Sequence, residues 1–571
     1  MSTTHREALI VADFTAQGLA PFLSDSQSPS LKATLAPFDQ VVPVLLDETL
    51  QCWASRPDVA VVWTRPDSAI KAFGRVINHE SVDMDGLLAE VDDFASCLRA
   101  ASARVSALFV PTWTWPAYDR GLGVLNLRPG VGAAYALMRM NIRLAEAVAT
   151  DTAIHLLDAG RWVAQAGKAA ANPKLWHLGK IAFGPEVFRQ AATDIKAALR
   201  GISGQARKLV VLDLDDTLWG GVVGDMGWEG LNLGGHNPIG ESFTTFQRAL
   251  KRLTNRGVVL AIVSKNTEEI ALEAIDRHPE MVLRRDDFAG WRINWQDKAQ
   301  NIASLVAELK LGLDSVVFID DNPAERARVR EGLPQVLVPE WPLDKLLYEQ
   351  TLAELTCFDT VTLSTEDRTR TRTYVSERER QGVRQSAQSI EEYLALLGLR
   401  VEVEALDGSN VLRAVQLLNK TNQMNLATRR FTEAQYLEWA ASKTNQVLVF
   451  RVRDRFDDYG LTGLASLSVN GTEGHVSDFL LSCRVMGRGV EQTMLYALAE
   501  EGRALGLSRL IATYCPTPRN SPCRAFFDDG SAFARSDDGL QYVWDFPNLY
   551  VAPAHVDVHW AQNRIVPAGK S

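Results

Sequence analysis

Short apolar runs recur through the first 200 residues of this chain at strand length. Ala8–Asp13, Val41–Leu46, Val59–Trp63, Ala107–Val110 and Ala153–Leu157 are nearly continuous apolar segments, as expected of strands buried on both faces. Between them, Met84–Ala103 and Ala133–Thr150 carry apolar positions at helical spacing. This alternation predicts a parallel sheet flanked by helices over residues 1–200. A second α/β body follows over 206–345, with strands at Lys208–Leu212, Val258–Ser264 and Ser315–Ile319 and a helix over Asp297–Lys310. Residues 346–385 read as linker helices. A third body, 386–571, brings the strand Asp478–Cys483 into a glycine-containing loop and then a helical pattern, Gln492–Ala499. The predicted fold class is α/β for the first two bodies and α+β for the third.

Length and composition fit this division. A chain of 571 residues with 46% apolar content has ample material for several cores. No apolar run approaches the roughly 20 residues that span a bilayer, so no membrane partner is expected. The N-terminus lacks a signal peptide's basic start and apolar core, which predicts cytoplasmic residence. A net charge of −10 argues against nucleic acid as a partner. The six cysteines, Cys52, Cys97, Cys357, Cys483, Cys515 and Cys523, show no zinc spacing and are expected to be reduced.

The chemistry gathers where strands end. Asp213-Leu-Asp215-Asp-Thr217 closes the first strand of the second body with carboxylates two apart. Asp213 could attack phosphorus while Asp215 protonates the leaving oxygen. The next strand ends in Ser264-Lys265-Asn266, whose hydroxyl and amide can hold a phosphate oxygen. Lys298 adds a point positive charge, and Asp320-Asp321 supply the hard oxygen ligands that Mg²⁺ prefers. An aspartate cannot approach an anionic phosphate unless nearby cations neutralise the charge, so such a site works by positioning and electrostatics.

Together these segments resemble the four motifs of the haloacid dehalogenase (HAD) superfamily of phosphotransferases. The resemblance implies a HAD-like Rossmannoid domain over 206–345, with Asp213 as nucleophile and Asp215 as acid/base. Thr217, Ser264, Lys265, Asn266 and Lys298 would bind substrate. Asp320 or Asp321 would bind the metal, beside Asp213 and the backbone carbonyl of Asp215. Asp225 to Glu241 is too short for a separate cap domain, so substrate selection is expected to come from other parts of the chain.

In the third body, Arg484-x-x-Gly487-Arg488-Gly489 matches the pyrophosphate loop of GNAT-type N-acetyltransferases, where backbone amides at a helix N-terminus cradle an anion. Asn520 and Ala525-Phe-Phe527 fall where that fold places its late strand and helix. Cys483, beside Arg484 and the loop, is either an activated nucleophile or a core cysteine at a strand end. Cys515 and Cys523 read as structural.

The resemblance then narrows. Asp213-Leu-Asp-Asp-Thr-Leu-Trp-Gly-Gly221, Ser264-Lys-Asn, Arg292-Ile-Asn-Trp, Ile319-Asp-Asp-Asn-Pro, Leu418 to Arg430 and Ser482 to Glu491 resemble the FkbH-like proteins over about residues 206 to 535. That family is associated with taking a glyceryl unit from 1,3-bisphosphoglycerate, a small phosphorylated three-carbon substrate, and loading it on the phosphopantetheine arm of an acyl carrier protein in polyketide or related biosynthesis. Arg484, Gly487, Arg488 and Gly489 would then meet the carrier or coenzyme A. Asp216 stands where the family often has asparagine, and Asp457-Asp-Tyr-Gly460 where it often has a glycine-containing run. Within Glu366–Arg380, Arg368 and Arg372 are four apart and share a helix face, which reads either as a solvated linker or as a surface for an acidic carrier. The amides and arginines of Asn419–Arg430 either bind a hydroxyacid or phosphopantetheine phosphate, or form the polar face of a capped helix.

The first body weakly resembles SGNH-hydrolase-like domains, whose serine nucleophile follows the first strand. Here that stretch is Ala12-Asp13-Phe14-Thr15, without the serine, which implies a non-hydrolytic domain used for docking or positioning. His155 and His177 read as structural. Two rivals stand beside the glyceryl-transfer reading: a phosphatase fused to a coenzyme A-dependent acyltransferase, and a non-catalytic docking scaffold.

Overall fold

The computed structural model describes residues 6–561 apart from 27, 116–118, 362–369, 422 and 538. The chain divides into two compact units between Thr371 and Arg372.

In the first unit, β1 (Arg6–Ala12), β2 (Leu31–Leu35), β3 (Val59–Trp63), β4 (Ala107–Pro111) and β5 (Ile154–Leu157) form a parallel sheet in the order β2-β1-β3-β4-β5. Alternate residues serve opposite faces. Leu9, Val11, Val62 and Leu108 join one core, while Ile10, Val61 and Phe109 join the other. The continuous apolar runs follow from this double burial.

Two elements depart from the sequence reading. Val41–Leu46 is a helical turn, not a strand. Pro43 cannot donate to a sheet ladder, whereas in the first turn of a helix its missing N–H would have no intrahelical partner. The missed strand is β2, an edge strand in which only Leu31 is buried, so it carries little apolar signal. Phe14 lies in an aromatic cluster with Trp63 and Phe183, at ring distances of 5.6 and 5.3 Å. The Thr15 hydroxyl donates to the Gly179 carbonyl at 2.6 Å. His155 packs on Phe109, and burial lowers its pKa. His177 is exposed.

A second parallel sheet follows, from β6 (Leu209–Leu212), β7 (Val259–Ser264), β8 (Phe288–Ile293) and β9 (Val316–Ile319), in the order β8-β7-β6-β9. Leu209 pairs with both Val259 and Val316, and Leu212 with Ile262 and Ile319, so the three strands end at one edge. Connections leave β6 in opposite directions, and the crevice between β6 and β9 is the topological switch where such sheets bind ligands. The body extends beyond residue 345, since Tyr348, Leu352 and Phe358 lie in the core of this sheet.

The second unit begins near the helix Arg370–Ser386. Arg368 lies outside the described residues. Arg372 is 3.7 Å from Asp457, and Arg380 is buried with its Nε 2.9 Å from Asp454. The stretch is therefore integrated into the second unit rather than solvated throughout. Its sheet, among the described residues, contains β10 (Leu399–Ala405), β11 (Met424–Asn425), β12 (Asn445–Arg453), β13 (Asp458–Asn470), β14 (Glu473–Leu481), β15 (Arg509–Thr513), β16 (Ala534–Arg535), β17 (Gln541–Asp545) and β18 (Val556–Trp560). β10, β12, β13 and β14 are antiparallel in succession. β15 then joins β14 in parallel over Glu473–Val476 only, and the end of β14 pairs with β11 instead. This local splay leaves the exit of β14 free to open into the glycine loop ahead of the helix Val490–Ala504.

Asp13 gives the first sheet a pH signature. Its carboxylate is buried and accepts from the Arg65 backbone N–H at 3.0 and 3.1 Å. Burial nevertheless pushes its pKa from 3.8 to about 6. Between these values the folded state holds a proton that the unfolded chain has released, so this group's contribution to stability falls as pH rises. Asp13→Asn removes the titration. Its unfolding midpoint should gain on the wild type between about pH 4 and about pH 7, by the equivalent of about 1–3 kcal/mol. An offset constant across that range in pH-dependent thermal melts would show that Asp13 does not titrate there.

Candidate functional site

The common edge of β6, β7 and β9 carries the second sheet's polar residues. Asp213 follows β6 and its backbone N–H donates to the Ile319 carbonyl at 3.0 Å, which ties it to β9. Lys298, the first residue of the helix Lys298–Glu308, is buried between two carboxylates, 3.0 Å from Asp213 Oδ1 and 2.6 Å from Asp320 Oδ2. Asp320 is fully buried, and its other oxygen accepts from the Asn322 N–H at 2.8 Å. Asp321 is half-buried, and its backbone N–H donates to the buried Thr217 hydroxyl at 3.2 Å. Carboxylate oxygens of Asp213, Asp320 and Asp321 all lie within 4.8 Å of one another.

Three carboxylates against two lysines, Lys298 and Lys345, leave a surplus of negative charge. Burial and the neighbouring Asp213 carboxylate push Asp320 up to about 6, against the pull of Lys298. A hard divalent cation fits this all-oxygen donor set. The sequence left either Asp320 or Asp321 as ligand, and the geometry brings both to Asp213.

Asp215 stands apart from that trio. Its Oδ1 accepts from Trp219 Nε1 at 2.9 Å and from the Val223 N–H at 3.1 Å. Its Oδ2 accepts from Asn266 Nδ2 at 2.9 Å. These donors fix the orientation of the carboxyl, while burial raises its pKa. A carboxyl held in place and inclined to keep its proton suits general-acid chemistry. Ser264 is buried at the end of β7, and Lys265 pairs with Glu325 at 2.6 Å. Asp213, Asp215, Ser264, Lys265, Lys298 and Asp321 line one cavity of about 410 Å³. Asn266 reaches the site through Asp215, and Thr217 through the Asp321 backbone.

The motifs did not reveal all the supports. Lys345 Nζ donates to the Asp216 carbonyl at 2.8 Å and lies 3.6 Å from Asp321. The buried Arg326 donates to the carbonyls of Asp320 and Asp321 at 2.9 and 2.7 Å. Neither has a motif spacing, since each acts on backbone oxygens of residues distant in sequence or across a helix turn. Asp216 has φ of +53°, a left-handed conformation that asparagine and aspartate tolerate better than most residues.

In the second unit, Cys483 is exposed and opens a single 3₁₀ turn after β14, which corrects the reading of a core cysteine. Cys515 is exposed and Cys523 buried. Arg484 Nε lies 3.4 Å from the Ser482 hydroxyl. Gly487 and Gly489 take φ of +72° and +88°, and a Cβ at Gly489 would come 2.7 Å from His555 Nε2. The Arg488 side chain turns inward to Tyr459 at 2.6 Å and Asp454 at 3.3 Å. In the 419–430 stretch, Arg429 pairs with the buried Asp478 and Asn419 bonds the Phe431 backbone. These contacts match the reading of a structural polar face, and Asn422 lies outside the described residues. Asn520 is buried and bridges Tyr514, Asn425 and Cys515.

No protein-family model matches the chain, and no curated protein matches it. Among solved structures, the N-terminal part of BF1531 from Bacteroides fragilis, containing a phosphatase domain complexed with Mg, aligns with a TM-score of 0.57 and 29% identity, over 63% of this chain and 95% of that one. The ribosomal-protein-S18-alanine N-acetyltransferase of Escherichia coli aligns with a TM-score of 0.20 and 12% identity, over 26% of this chain and 99% of that one. Spermidine N-acetyltransferase from Vibrio cholerae, in complex with CoA and spermine, aligns with a TM-score of 0.20 and 15% identity, over 25% of this chain and 91% of that one. The fold is mixed α/β, with two parallel sheets in the first unit, which bears a Mg-type phosphatase likeness, and a mixed sheet in the second.

Lys298 is the group whose loss should be felt most. Lys298→Met leaves Asp213 and Asp320 buried without their cation, and metal-free protein should lose about 3–5 kcal/mol in chemical denaturation. Added Mg²⁺ should restore more stability to the variant than it adds to the wild type. An equal metal response in both would show that the three carboxylates do not share an ion.

Proposed function

We propose that this chain is a Mg²⁺-dependent HAD-type phosphatase coupled to acyl transfer. Its substrate is 1,3-bisphosphoglycerate, and its acceptor is the phosphopantetheine thiol of an acyl carrier protein in polyketide or related biosynthesis. The observation that supports this most is the convergence of Asp213, Asp320, Asp321 and Lys298 in a chain that also exposes Cys483 at a glycine loop. The resemblance to FkbH-like proteins supplies the substrate and the carrier.

Mg²⁺, held by Asp213, Asp320 or Asp321 and the Asp215 carbonyl, would supply the charge that lets a carboxylate meet a phosphoryl group. Asp213 attacks phosphorus of the phosphomonoester and forms an aspartyl phosphate. The P–O bond to the alcohol breaks, and Asp215 gives that oxygen its proton. Water then attacks the aspartyl phosphate with Asp215 as base, which releases phosphate and restores both carboxyls. Ser264 and Lys298 orient the phosphoryl oxygens, with Lys265 at the rim.

The acyl phosphate needs no such activation. The Cys483 thiolate attacks its carbonyl, phosphate leaves, and the glyceryl group is held as a thioester. The carrier thiol, as thiolate, attacks that thioester and returns the Cys483 thiolate. In this scheme the first body, 1–200, is an SGNH-like domain without hydrolytic activity, in which Phe14 takes the place of the nucleophile, and the protein works in the cytoplasm.

Two variants separate the steps. Asp213→Asn, or removal of metal with EDTA, should lower phosphomonoester hydrolysis at least about 10³-fold. Wild-type protein given 1,3-bisphosphoglycerate should gain a hydroxylamine-labile glyceryl or phosphoglyceryl mass. Cys483→Ala should gain none and load no carrier, yet keep the Asp213-dependent phosphatase, since an exposed thiol contributes little to packing. Full carrier loading by the alanine variant in intact-protein mass spectrometry would remove Cys483 from the mechanism.

A further inference from the structure

The glycine loop is already occupied by a carboxylate of its own chain. Glu491, the second residue of the helix Val490–Ala504, folds back so that Oε1 accepts the Gly487 N–H at 2.7 Å. The side chain is only 3% exposed, and Oε2 has no hydrogen-bond partner among the described residues. Glu491 lines a cavity of about 490 Å³ whose other walls include Met424, Met486, Pro522, Phe526 and Pro553. Burial raises its pKa, while the Gly487 N–H and Arg488 pull the other way. Of the loop's two arginines, Arg488 is engaged with Tyr459 and Asp454, and Arg484 Nε lies 3.4 Å from the Ser482 hydroxyl.

An anion-binding loop works by aiming unpaired backbone amides at its ligand. Here the Gly487 amide is taken by an internal anion, and a diphosphate approaching it would meet a like charge in an apolar surround. A buried acceptor without a partner costs free energy until a donor reaches it. A neutral chain with amide or thiol hydrogens meets both conditions, since it gives Oε2 a donor and brings no phosphate to the loop.

We propose that Glu491 is a specificity-determining residue that bars the diphosphate of free coenzyme A from the glycine loop and offers its second oxygen to the neutral amide-thiol arm of the acceptor. This rests on the proposed use of the loop as the acceptor's site. It explains how a GNAT-like fold would favour a carrier-borne arm, whose phosphate is a single diester, over the abundant free coenzyme.

Isothermal titration of the full chain with pantetheine and with coenzyme A tests the inference. Wild-type protein should bind pantetheine more tightly than coenzyme A. Glu491→Ala frees the Gly487 amide and should raise coenzyme A affinity at least tenfold while weakening pantetheine several-fold. Glu491→Gln keeps an oxygen for Gly487 and the local packing but removes the charge, and should shift the same ratio in the same direction by a smaller factor. Preference of the wild type for coenzyme A, or an unchanged ratio in both variants while carrier loading persists, would overturn the role of Glu491 alone. No binding of either compound together with no carrier loading by wild type would overturn the acceptor-site reading and this inference with it.

Discussion

The in-register parallel pairing of β6 with β7 and β9 is the constraint on which the candidate phosphoryl-transfer site depends. Leu212 lies opposite both Ile262 and Ile319, so the chain leaves all three strands at the same edge. A one-residue slip of β9 would turn its alternate side chains to the opposite face. It would also separate Asp213 from Asp320 along the edge. The apolar cores on both faces resist such a slip, because every residue of β6, β7 and β9 is buried. Packing thus specifies the position of groups that packing alone would never bring together.

Electrostatics sets the second condition. Asp213 and Asp320 are like charges within a few ångströms in a buried setting, which is tolerable only with a cation between them. Lys298 meets that need in part, from the first turn of a helix whose N-cap, Asp297, accepts the Gln300 N–H. Asp215 faces a different local environment only two residues from Asp213. Its donors are an indole, an amide and a backbone N–H, all neutral. Two aspartates two positions apart thereby sit in different surroundings, one beside a lysine and the other among neutral donors with its pKa raised by burial.

Much of this was legible in the sequence because the informative residues sit at strand ends. Asp213, Ser264 and Asp320 follow apolar runs whose burial the pattern makes plain. Where pattern and local chemistry conflict, reading by hydrophobicity failed. Val41–Leu46 has the composition of a strand but the backbone of a helical turn, owing to Pro43. β2 is hidden by its place at the edge. Lys345 and Arg326 escaped because they contact carbonyl oxygens, which every residue has, so no spacing marks them. Cys483 could be read as exposed or buried from its neighbours, and in the turn after β14 it is exposed while Leu481 and Val485 on either side are buried.

The two candidate sites also show how far a motif determines chemistry. In the second parallel sheet the carboxylates of Asp213, Asp320 and Asp321 bring more negative charge than Lys298 and Lys345 neutralise, so the site suits an added cation. In the glycine loop the backbone has the positive φ angles that an anion cradle needs, yet Glu491 takes the Gly487 amide and Arg488 is engaged elsewhere. The loop is complete without an anion. Its backbone conformation is set by Gly487 and Gly489, while the charge beside it comes from a side chain four residues on. The two glycines thus set the shape of the loop, while the charge presented to a ligand has to be read from Glu491 and its neighbours.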